Sequence, residues 1–189
     1  YPSTPVAKMI HKDADLPAGI SDLRDGQAVN ADGVTLVPIH TPGHASDHLC
    51  YFVPETKSLF TGDLVLGGST TVIPDEDGDL AQYMDSLRHI LRLDVTTIYP
   101  AHGPVIENAK ALIKEYIEHR LERERQILAV MGDGTRTIPE MVKVIYAAVP
   151  EALHGYAGQS VHSHLKKLKA EKRVKEETVS GGPSRWTLA

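Results

Sequence analysis

The sequence predicts an α/β fold with a small α+β module behind it. Three observations carry that prediction. Apolar, β-branched runs at residues 34–39, 48–53, 58–61 and 95–99 have strand length and are bounded by Gly, Pro or Asp. Apolar residues at three- and four-residue steps mark helices at 79–93 and 108–131. Past Gly132-Asp133-Gly134, two shorter helical stretches precede two strand-like runs.

Residues 1–33 lack periodicity and are rich in Pro, Asp and Gly, so loop with short strands is expected there. Residues 34–39 form a strand, and Pro38 suggests its end or a sheet edge. Residues 48–53 and 58–61 have hairpin spacing around Pro54-Glu55-Thr56-Lys57. The Gly- and Asp-rich loop at 64–78 is long, and such loops are usually functional. Leu80, Tyr83, Met84, Leu87, Ile90 and Leu91 line one side of the helix at 79–93. In the helix at 108–131, the mixed Glu, Lys and Arg residues read as a solvated face with i,i+4 pairs.

Gly132-Asp133-Gly134 is the natural boundary between a body at 1–132 and a tail module at 133–189. Thr137-Ile138-Pro139-Glu140 has capping-box spacing and opens a helix to about 149. A polar link to His154-Gly155 is followed by a helix at 159–172, a strand at 174–179, a turn at 180–183 and a strand at 185–188. Two helices and a β-hairpin make the closing part of a winged helix.

A hydrophobic content of 41% supplies a core, and no window is apolar for the length of a membrane span. The formal charge of −5 argues against nucleic-acid binding over the whole surface, although residues 135–177 hold more Lys and Arg than Glu. Cys50 is alone and forms no internal disulfide; it reads as a small core side chain. No signal-peptide pattern is visible, and a cytoplasmic location is expected. The chain opens Tyr1-Pro2-Ser3-Thr4-Pro5 without Met and reads as the later part of a longer protein.

The chemistry sits between residues 39 and 104. His40-Thr41-Pro42-Gly43-His44, Thr61-Gly62-Asp63 and Ala101-His102-Gly103-Pro104 follow apolar runs, each placing a ligand-type residue on a turn at a strand end. Strand ends on one side of a sheet converge, so His44, Asp63 and His102 can meet although 19 and 39 residues separate them. Two imidazoles and a carboxylate suit zinc or a similar divalent ion. His40 and His48 are candidates for supporting those ligands rather than binding metal directly.

In order and placement these turns resemble the downstream half of a metallo-β-lactamase-fold hydrolase. The long helix, the Gly-Asp-Gly break and the winged-helix tail are similar to a subfamily containing a single-strand endoribonuclease and fungal polyketide thioesterases. The resemblance implies the C-terminal part of an αββα sandwich with zinc at one edge. It also implies hydrolysis of an ester, thioester or phosphodiester by metal-bound hydroxide. His44 and His102 would be terminal ligands on two ions and Asp63 would bridge them. Two departures stand out. Ala101 replaces a Gly, and the upstream His-x-His-x-Asp-His motif is absent, leaving three of seven ligands. His11-Lys12-Asp13-Ala14-Asp15 is the nearest stretch and lacks a second His. His162-Ser163-His164 has the His-x-His spacing but lies on a helix, where residues two apart diverge. Partial or no zinc occupancy is therefore expected, with the chain inactive by itself and one or two ions in a complete protein.

No nucleophile elbow, phosphate-binding loop or dinucleotide fingerprint occurs. Gly67-Gly68-Ser69-Thr70-Thr71 reads equally as an active-site-lining loop or a flexible link. The alternative class is a non-catalytic nucleic-acid-binding or interaction protein with a vestigial metal half-site. Lys166, Lys167, Lys169, Lys172 and Arg173 would contact phosphates, and Trp186 would stack on a base unless it packs in the tail's core. Substrates on these two readings are a small ester or thioester, or single-stranded RNA. No membrane partner is expected, and self-association is left open.

Overall fold

The computed structural model describes residues 4–10, 15–132 and 134–189; the His11 stretch, apart from Asp15, and Asp133 lie outside them. Near the start, β1 (Val6–Lys8) and β2 (Ile20–Asp22) pair in parallel. The main sheet has five strands in sequence order: β3 (Val29–Ala31), β4 (Val34–His40), β5 (Leu49–Val53), β6 (Ser58–Gly62) and β7 (Thr97–Pro100). Neighbours are antiparallel except β6 and β7. A parallel pair needs a crossover, and α1 (Leu80–Leu91) supplies it. Because β4 opposes β5 and β5 opposes β6, strands β4, β6 and β7 run the same way. Their C-terminal ends share one edge of the sheet.

Pro38 neither ends β4 nor lies on an outer strand of the sheet, as the sequence suggested. The strand continues to His40 and pairs with β5 as far as His40↔Leu49. Proline is tolerated because β3 pairs only residues 34–36, and past that point the Pro38 carbonyl accepts from Gly26 N–H at 2.8 Å.

Asp79 caps α1, accepting from the Ala81 and Gln82 amides at 2.7 and 3.0 Å. Tyr83, Met84, Leu87 and Ile90 of α1 are buried with Leu59, Ile98 and Ile113. Burying each such side chain contributes about 1.5–3 kcal/mol. The second helix, α2 (Ala109–Met131), gives Ile113 and Tyr116 to this core and Ile127 and Met131 to a second one. Its charged residues are not all solvated. Arg120 and Glu124, each 4% exposed, face inward, Arg120 onto the Thr71 carbonyl and the Tyr83 ring and Glu124 onto Lys167 of the tail module. A sequence cannot show which polar stripe a later segment will cover.

The tail comprises β8 (Arg136–Thr137), α3 (Ile138–Ile145), α4 (His154–Ala170), β9 (Val174–Glu177) and β10 (Arg185–Leu188). Its sheet order is β8-β10-β9, all antiparallel. The Thr137–Glu140 capping box forms. The helix it opens is shorter than expected, stopping at Ile145. The helix α4 begins five residues earlier than expected. The supposed polar link is a 3-10 turn at Glu151–Leu153 leading directly into it. Gly158 lies within α4 facing α3, where an added Cβ would make only ordinary contact with Ile138, at 3.7 Å. No helix among the described residues is long and apolar enough to cross a membrane.

Candidate functional site

The turn after β4 docks on the start of α1. Gly43 has φ +127° and lies so close that an added Cβ would meet the Tyr83 amide nitrogen at 2.3 Å. Its carbonyl accepts from Asp79 N–H at 2.9 Å, and Ser86 donates to the Pro42 carbonyl at 2.7 Å. This fixes where His44 emerges. The turn after β7 is fixed similarly. Gly67 N–H donates to the His102 carbonyl at 2.9 Å, and a Cβ on Gly103 would lie 1.9 Å from the Gly67 oxygen. The Gly67–Gly68 loop is thus packed against the His102 turn. Tyr116 secures it, accepting from Leu66 N–H at 3.0 Å and donating to carbonyls of the same loop.

These turns bring the three predicted ligands together. His44 Nε2 lies 3.8 Å from Asp63 Oδ2, and His102 Nε2 lies 3.5 Å from Asp63 Oδ1. Each imidazole faces a different carboxylate oxygen. His44 Nδ1–H donates to the Val72 carbonyl at 2.8 Å, so its Nε2 presents a lone pair towards the carboxylate when the ring is neutral. A lone pair opposing an anion is favourable only with a cation between them. Two ligands held 2.0–2.2 Å from one tetrahedral ion lie about 3.4 Å apart. The observed separations are near that value, so the donors fit a divalent ion in kind. They fall short in number. Among the described residues, no group of three or more His, Cys, Asp or Glu side chains surrounds a common point as a full ligand set.

His48 uses both ring nitrogens elsewhere. Nε2 accepts from Asp63 N–H at 3.3 Å, and Nδ1 donates to Thr41 Oγ1 at 2.8 Å. Burial, then the neighbouring His44, lowers its pKa and keeps the ring neutral. His40 is turned away, donating from Nε2 to the Ser46 carbonyl at 2.9 Å, and so braces the loop that carries His44. Thr41 and the Val72 carbonyl escaped the sequence reading. A Thr before Pro carries no distinctive signal, and a backbone acceptor carries none.

The remaining candidates lie elsewhere. His164 is fully buried and donates to Ser160 within α4, while His162 meets Asp75 at 2.9 Å, so the pair does not chelate. Lys167 pairs with Glu124 and Glu171, both at 2.7 Å, Lys169 with Glu176 at 2.8 Å, and Arg173 with Glu124 at 3.6 Å. Lys166 reaches the Asp75 carbonyl at 3.2 Å. Trp186 is 1% exposed within the tail's core, which rules out stacking on a base in this conformation.

Two family descriptions match the chain: the metallo-beta-lactamase superfamily over residues 6–102, and the beta-lactamase associated winged helix domain over residues 137–186. The chain belongs to the metallo-beta-lactamase superfamily. It is 35% identical to a lactamase-like protein of Emericella nidulans, covering 89% of this chain and 57% of that one. It is 43% identical to a beta-lactamase-like protein 2 homolog of Caenorhabditis elegans, covering 76% and 48%. An atrochrysone carboxyl ACP thioesterase of Aspergillus chevalieri is 37% identical, with 90% and 56% covered. The chain thus spans about half the length of these curated relatives. Among solved structures, a metallo-beta-lactamase family protein of Thermus thermophilus matches with a TM-score of 0.74 at 25% identity, covering 92% of this chain and 56% of that one.

Proposed function

We propose that this chain forms one wall of the active site of a metal-dependent hydrolase acting on an ester, thioester or phosphodiester. One observation carries the reading: Asp63 stands between two imidazoles, each aimed at a different carboxylate oxygen. His44, Asp63 and His102 would together hold divalent metal there, and zinc matches the donor types. When bound, such ions acidify water and neutralise charge developing on the scissile group. The chain's own residues position. The Val72 carbonyl orients His44, the His48 ring holds the Asp63 backbone, and the Gly67 loop fixes the turn of His102. The thioesterase among the relatives favours a thioester.

The ion pairs of Lys167, Lys169 and Arg173 favour this reading over a phosphate-binding tail. The deciding experiment uses the full-length protein with zinc and three chromogenic substrates, one of each class. His44→Ala, Asp63→Asn and His102→Ala are each expected to lower kcat/KM by at least a hundredfold and to reduce bound zinc. Turnover unaffected by all three substitutions would overturn the assignment.

A further inference from the structure

We infer that a cavity between α2 and the tail module binds a small organic anion with an apolar body, through a carboxylate or phosphate monoester held by Arg120 and Arg123. The cavity measures about 270 Å³. A cavity of roughly 150 Å³ already admits benzene, so a ring bearing a charged headgroup fits.

Its charge is the main argument. Arg120 is 4% exposed, donates from Nη2 to the Thr71 carbonyl, and lies over the Tyr83 ring. Arg123 donates from Nη1 to Gln126 at 2.7 Å, and its buried Nε has no partner. Neither guanidinium forms an ion pair with a carboxylate among the described residues, although the charge of Arg123 reaches Glu122. Guanidinium stays charged at any physiological pH, so the site cannot relieve itself by losing a proton. Arg120 is buried and Arg123 partly so; holding cations there without a paired counter-ion is unfavourable, and an entering anion offsets that cost. His119 on the same wall senses the field: its pKa is lowered by burial, then by Arg120 and Arg123.

Geometry supplies the specificity. The Arg123 guanidinium lies 4.0 Å from the centroid of the Tyr146 ring, which fixes its plane. A planar fork of donors matches a carboxylate or phosphate. Around the mouth stand Val72, Leu153 and Tyr156, which are 50%, 47% and 66% exposed and suit an apolar body. The cavity also adjoins the half-site. Thr71 offers its carbonyl to Arg120 and the next residue, Val72, offers its carbonyl to His44.

The test is calorimetric titration of the full-length protein with benzoate, phenyl phosphate, inorganic phosphate and benzyl alcohol. EDTA is present throughout so that no probe is bound through a metal. The inference therefore stands or falls separately from the hydrolase reading. At least one of the two aromatic anions is expected to bind tenfold or more tightly than benzyl alcohol and than inorganic phosphate. Which of the two binds better identifies the headgroup. Arg123→Gln should weaken that binding at least tenfold. Tyr156→Glu, at an exposed position that leaves the core intact, should do the same by repulsion. Binding of benzyl alcohol equal to that of the anions would overturn the inference. So would anion binding that survives both Arg123→Gln and Tyr156→Glu.

Discussion

The backbone N–H of Asp63 donates to Nε2 of His48 at 3.3 Å, so the residue at the centre of the site is held from behind by the histidine that immediately precedes β5. The contact fixes the His48 tautomer. Nδ1 carries the proton and donates to Thr41 Oγ1, whose hydroxyl donates to Cys50 Sγ at 3.3 Å. Burial pushes the Cys50 thiol up to about 12, so it stays protonated and acts as a structural member of the chain.

Thr41→Val tests this chain. The substitution keeps shape and removes the hydroxyl from a fully buried position, leaving the His48 Nδ1–H without an acceptor. A loss of about 1–3 kcal/mol is expected in urea denaturation. Thr41→Ser should recover most of it. A Thr41→Val protein as stable as the parent, with the loss confined to Thr41→Ser, would show that packing of the methyl group, not the hydroxyl, matters.

Gly103→Ala should be far more damaging than Ala101→Gly, although both alter the same turn. Gly103 has φ +90°, and its added Cβ would overlap the Gly67 carbonyl. The left-handed backbone alone costs about 1–2 kcal/mol for a residue with a side chain, and forced overpacking adds about 1–3. Ala101 is exposed and has no positive φ, so the residue that departs from the family pattern is tolerated. Thermal denaturation and zinc content together measure the effect; an unperturbed Gly103→Ala protein would refute the close packing of the two loops.

Much of this arrangement was legible from residue types. Gly, Pro and ligand-type residues at 43–44, 62–63 and 100–103 mark strand-end turns, and the shared direction of β4, β6 and β7 brings them to one edge. The contacts that aim the side chains were not legible. His44 is oriented by a backbone carbonyl 28 residues away, and His102 by packing of Gly103 against Gly67, in a loop that read equally as site-lining or a link. Arg120 and Glu124 were misread for a related reason: Arg120 is covered by contacts with the distant Thr71 and Tyr83, and Glu124 by Lys167 of α4, which follows it in sequence. The reading of Lys167 and Arg173 as phosphate contacts likewise missed that Glu124 faces them.

Lys167→Ala should destabilise the protein where Lys166→Ala does not. The Lys167 and Glu124 side chains are 9% and 5% exposed and meet at 2.7 Å. Removing the lysine leaves a buried carboxylate with Arg173 at 3.6 Å as its remaining ion-pair partner. Breaking such a pair costs about 3–5 kcal/mol, whereas an exposed lysine changes stability by roughly 0.5 kcal/mol or less. Glu124→Gln combined with Lys167→Met should recover part of the loss. Urea denaturation of the four proteins distinguishes a buried pair from a solvated one, for which Lys166→Ala and Lys167→Ala would behave alike.

His164 makes the fold acid-sensitive. It is fully buried in α4, its Nδ1–H bonds the Ser160 carbonyl at 2.7 Å, and Nε2 has no partner. Burial holds its pKa down at about 3, against an ordinary value of 6.5. The unfolded chain therefore takes up this proton first as pH falls. The stabilising contribution is present above pH 6.5 and is lost progressively below it, down towards pH 3. Between those limits the slope from this one group approaches about 1.4 kcal/mol per pH unit. His164→Leu keeps an apolar side chain of similar bulk and removes the titrating group. Denaturation midpoints measured from pH 7.5 to 4.5 should fall less steeply for His164→Leu than for the parent. Parallel curves would mean that His164 is already protonated in the folded state or does not titrate on unfolding.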